Sequence, residues 1–90
     1  MGITKEELVA LAAKGYDRFE DRIENENPSK VIAEYYKNLE NIDTSNWDLT
    51  MKDIYELNKG ACLNIRMTAK EYEIEDSFSF VKACIAYTLS

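Results

Sequence analysis

The chain has 90 residues, 46% hydrophobic and 31% charged, with one proline and three glycines. That composition is globular, and it is expected to form a single domain over residues 1–90, with no length for a second domain and little loop material. The net charge is −6, and acidic residues outnumber basic ones in every third of the chain, which opposes nucleic acid and anionic membranes and favours a basic protein partner.

No apolar run approaches the ~18–20 residues of a membrane span. The opening Met1-Gly2-Ile3-Thr4-Lys5-Glu6-Glu7 has no secretory pattern, so the expected address is the cytoplasm. Cys62 and Cys84 form neither a CxxC pair nor a dense framework. Buried free thiols are the expectation, with no metal ligand among them. Histidine is absent, which removes Ser-His-Asp and Cys-His catalysis and the usual zinc sites.

The first helix opens on a capping box, Thr4 with Glu7, flanked by Ile3 and Leu8 as a hydrophobic staple. Leu8, Leu11, Ala12, Gly15, Tyr16, Phe19 and Ile23 then recur at three- and four-residue steps, a stripe reaching about Glu24. Asn25-Glu26-Asn27-Pro28 breaks it, because proline disfavours helical geometry in the preceding residue yet suits the first position of a new helix. With Asn27 as cap, a second stripe of Val31, Ile32, Tyr35, Tyr36, Leu39 and Ile42 runs to about Asn41.

Asp43-Thr44-Ser45-Asn46 is turn chemistry, and Trp47 follows it in the loop, either plugging the end of a bundle or anchoring a partner. Thr50 and Asp53 form a second capping box. From it a third helix, the longest expected, is read through Leu57, Ala61, Ile65 and Thr68 or Ala69 to Tyr72. Glu73-Ile74-Glu75-Asp76 interrupts or bends that helix, and Asp76 caps a last one running to Leu89. Only Lys82 is charged after Asp76, so this helix is either central or covered by another subunit. The expected fold is therefore all-α, a four-helix bundle of two capped hairpins. The shared apolar-Thr-x-x-acid opening of the two hairpins is ascribed to convergence on one kind of cap.

Asp17, Glu20, Asp21 and Glu24 share helical spacing, but no Glu-x-x-His accompanies them, and Arg18 and Arg22 interleave. They read as a solvated charged face, not a metal or catalytic pair. The loop from Asp43 to Asp48 departs from a calcium loop at its fifth, sixth and twelfth positions, Trp47, Asp48 and Ile54. Gly15 and Gly60, each preceded by lysine inside an expected helix, read as close helix crossings. No cofactor motif is present.

What remains is ten aromatic residues on an acidic helical chain and one dense acidic run. The reading these support is a non-enzymatic protein-binding module, a small inhibitor or adaptor of the immunity or phage anti-defence type, that occupies a basic surface of a larger protein. The expected contact residues are Tyr36, Trp47, Glu71, Glu73, Glu75 and Asp76. The alternative is a homo-oligomer, joined through the last helix, that binds a small ligand between subunits.

Overall fold

The computed structural model describes residues 2–90, and these form five helices and no strand. Helix α1 spans Lys5–Ile23, α2 Pro28–Glu40, α3 Met51–Leu57, α4 Lys59–Glu71 and α5 Ser77–Leu89. The Thr4 hydroxyl accepts the Glu7 amide N–H at 3.2 Å while the Glu7 carboxylate accepts the Thr4 N–H at 3.4 Å. Thr50 and Asp53 repeat that reciprocal pattern ahead of α3. Asn27 caps α2 through the Ser29 N–H, and Asp76 caps α5 through the Phe78 N–H. Each cap satisfies donors that a helix start otherwise leaves free.

The expected third helix from Thr50 to Tyr72 is two helices, so five elements replace four. Asn58 leaves helical geometry (φ −154°, ψ 83°). Its N–H still closes α3 onto the Ile54 carbonyl at 2.8 Å, and its side chain accepts the Ala61 N–H at 3.0 Å to start α4. Asparagine competes well for such a cap because its amide oxygen replaces the missing helical acceptor. The break moves Leu57, expected in the core stripe, to a 44% exposed position. It also puts Gly60 in the first turn of α4 rather than in a helix interior.

The division into two hairpins is not confirmed, because the contacts run across it. Helix α1 packs far more extensively on α5 than on α2, and α5 touches α1, α2 and α4. Phe80, Val81 and the run from Ala83 to Ala86 are all buried in α5. That run is covered within one chain, while Leu89 at the end of the helix is 43% exposed. At the α1–α5 crossing a Cβ on Gly15 would lie on the Cys84 carbonyl oxygen and within 2.8 Å of the Thr88 hydroxyl. Glycine is required there because backbone meets backbone. The Thr88 hydroxyl sits 2.9 Å from the Cys84 carbonyl and 3.1 Å from that of Leu11, and the Tyr35 hydroxyl donates to the Gly15 carbonyl at 2.8 Å.

Aromatic rings fill the centre. Phe19 meets Phe80 at 5.3 Å, Tyr35 at 5.7 Å and Tyr72 at 6.2 Å between centroids, all edge-on. Such geometry sets the positive edge of one ring against the negative face of another. Cys62 and Cys84 are buried free thiols, and burial pushes the Cys84 thiol well above its ordinary value. Among the described residues no helix is long and apolar enough to cross a membrane.

Candidate protein-binding surface

The acidic run lies on the turn between α4 and α5. Helix α4 ends in a Schellman motif, with the Ile74 N–H bonded to the Ala69 carbonyl at 2.8 Å and the Glu73 N–H to the Lys70 carbonyl at 3.3 Å. Glu73 occupies the left-handed position of that motif, at φ 57°. Side chains alternate along the turn. Tyr72 and Ile74 pack against the core, while Glu71, Glu73 and Glu75 are exposed and make no hydrogen bond or ion pair among the described residues. The apolar members therefore fix the backbone and leave three carboxylates facing water.

Asp76 plays a different part. It accepts the Phe78 N–H at 3.0 Å and the Ser79 hydroxyl at 2.8 Å, and the Ser79 bond holds its carboxyl below the usual carboxylate range. Tyr36 is half-buried, with its ring 6.5 Å from that of Phe80, four residues beyond Asp76. Burial, then the Asp76 charge, raises the Tyr36 phenol. Trp47 is half-buried and packed on the core cluster. Its backbone is held by a bond from its N–H to the Thr44 carbonyl at 3.0 Å and by the Leu49 N–H at 3.0 Å. Among the described residues no hydrogen bond or ring contact joins Trp47 to the acidic turn, whereas Tyr36 reaches the start of α5 through Phe80.

One carboxylate of α1, Glu20, lies on the side of that helix that approaches the turn. The Tyr16 hydroxyl of α1 and the Thr68 hydroxyl of α4 are 2.5 Å apart in a buried hydrogen bond. Glu20 lies one turn beyond Tyr16, and Glu71 three residues beyond Thr68. Burial raises the Tyr16 phenol first, and the charges of both Glu20 and Glu71 add to the effect. Tyr72 reinforces the join by its edge contact with Phe19. The exposed face of α1 and the acidic turn therefore meet at one place. Glu20 had read only as a solvated charge, because the contact that gives it neighbours spans 52 residues.

Comparison with known proteins adds no name to this surface. No family model matches the chain, and no curated protein or solved structure matches it either. The site rests on its own geometry. Among the described residues no three Asp, Glu or Cys side chains gather as a metal-ligand group, and the carboxylates of α1 stay spread along an exposed face.

A further surface went unnoticed in the sequence. Leu63 and Met67 on α4 are 42% and 69% exposed, out of phase with the buried stripe of Cys62, Ile65, Thr68 and Ala69. Their i, i+4 spacing was the signal available.

Proposed function

We propose that this protein is a non-enzymatic binding module, a small inhibitor or adaptor, that presents fixed carboxylates to a basic surface of a larger protein. The observation that carries the reading is the pair of contacts, Tyr16 with Thr68 and Phe19 with Tyr72, that seat the turn of α1 bearing Glu20 against the end of α4 bearing Glu71, beside the outward-facing Glu73 and Glu75. Carboxylates held on a packed backbone lose little further freedom on binding, so ion pairs formed with a partner are not offset by ordering a loop. Exposed like charges repel one another in the free protein, and a cationic surface relieves that repulsion. Tyr36 and Asp76 flank the same region, and Asp76 serves it chiefly by capping α5. Trp47 is assigned to an independent contact or to the core.

Affinity capture from the native host with the wild-type chain and with Glu20→Gln/Glu71→Gln/Glu73→Gln tests this. All three substitutions lie at exposed positions. The expected result is a protein retained at low salt, released as ionic strength rises past roughly 0.3 M, and lost with the triple variant. Retention of the same protein by that variant, or indifference to salt, overturns the proposal.

A further inference from the structure

Among the described residues, four of the five large apolar side chains that stand exposed, Tyr55, Leu57, Leu63 and Met67, lie on α3 and α4. Two open clefts, of about 580 Å³ lined by Leu63 and Met67 and of about 400 Å³ lined by Tyr55, adjoin at Arg66 and Ser77, which line both, and together make one depression. Its cations are Lys52, Arg66 and Lys70, against the single carboxylate of Glu75. Arg66 and Lys70 enter no ion pair among the described residues, and Lys52 reaches Glu56 only at 3.9 Å. In a chain of net charge −6, this is an apolar floor with a basic rim.

We propose that this depression is a second docking surface, and that its occupant is an acidic segment of a partner protein bearing apolar side chains at helical spacing. Apolar groups of such a segment cover Leu63 and Met67, and its carboxylates meet Arg66 and Lys70, the helix-in-groove arrangement. Charge decides against a second copy of this chain seated through α4. Its only acidic residue is Glu71 at the C-terminal end, so two such faces would bring unpaired cations together. Openness along its length suits a row of side chains rather than an enclosed small molecule. The surface meets the carboxylate edge at Glu75 but does not rest on that reading.

The probe is a synthetic peptide of about 15 residues with Leu at i, i+4 and i+7 and Glu on the flanks, together with a version carrying Lys in place of Glu. Amide shifts of the labelled protein report where each binds. The acidic peptide is expected to move Tyr55, Leu63, Arg66 and Met67, and the basic version is not. Arg66→Glu/Lys70→Glu should weaken binding by roughly tenfold or more, and Met67→Ser should weaken it without altering the charge preference. Glu20→Gln/Glu71→Gln/Glu73→Gln, at positions that do not line the depression, should leave binding intact, which separates this surface from the carboxylate edge. Equal binding of the two peptides, or shifts confined to other helices, overturns the proposal. So does light scattering that shows a wild-type dimer dissolved by Met67→Ser.

Discussion

Gly15 and Gly60 look alike as sequence, each following a lysine and each within a helix, yet they answer to opposite constraints. At Gly15 a methyl group would lie on the Cys84 carbonyl, and neither helix backbone gives way cheaply. Gly15→Ala is therefore expected to destabilise by roughly 2 kcal/mol, the cost of overpacking less the gain in helix propensity. At Gly60 the nearest atom to an added Cβ is the Asn58 side-chain oxygen at 3.7 Å, an ordinary contact. Gly60→Ala gains propensity without a clash and should stabilise by about 0.5 kcal/mol. Thermal melts followed by circular dichroism would show the midpoint fall for one variant and rise for the other. A third position breaks a local rule. Glu73 holds the left-handed geometry that glycine usually supplies. Glu73→Gly should stabilise by about 1 kcal/mol in chemical denaturation, and loss of partner capture by this more stable variant would show that the carboxylate serves binding, not folding.

At the scale of elements, the caps were the legible part. Thr4, Asn27, Thr50 and Asp76 each begin the helix they were expected to begin, because a cap is a local exchange between one side chain and amides two or three residues on. Asn58 escaped notice because Ile54, Leu57, Ala61 and Ile65 keep helical spacing across it, and periodicity does not register a break of one residue. The joining of α1 to the acidic turn was illegible for another reason: Tyr16 meets Thr68, and Phe19 meets Tyr72, across more than 50 residues. Local pattern identified the acidic run and placed Tyr36 near neither Asp76 nor Phe80. The caps also carry a pH dependence. Bonds from Thr50 and Ser79 hold the Asp53 and Asp76 carboxyls below their ordinary 3.8. Groups so depressed stabilise the fold above the unfolded carboxylate range, and that contribution is lost as pH falls through the folded values. Stability should therefore decline below about pH 4, with the first turns of α3 and α5 losing amide protection first. Asp53→Asn/Asp76→Asn, which keeps a capping oxygen without the titration, should flatten the decline.

For the whole molecule, the balance of surface charge is the quantity that links stability to function. Seven of the seventeen acidic side chains are engaged in caps, turns or ion pairs: Glu7, Glu26, Glu34, Asp43, Asp53, Glu56 and Asp76. The other ten are exposed and have no partner among the described residues. The most elaborate pairing is at Arg22, which holds Glu26 at 2.7 Å, binds Glu34 and reaches the Tyr87 hydroxyl at 3.3 Å. Exposed pairs of this kind each contribute at most about 1 kcal/mol, so repulsion among the free carboxylates should outweigh them. Raising ionic strength from roughly 20 to 200 mM shortens the screening length from about 20 to 7 Å and should raise the thermal midpoint by a few degrees. Over the same range, affinity for a basic partner should fall, because the attraction screened in the complex is larger than the repulsion relieved in the free chain. Opposite signs from one variable distinguish a surface whose charges are held for a partner from one whose charges support the fold. A midpoint that drops with salt would show that the ion pairs dominate and that repulsion among the free carboxylates does not strain the fold.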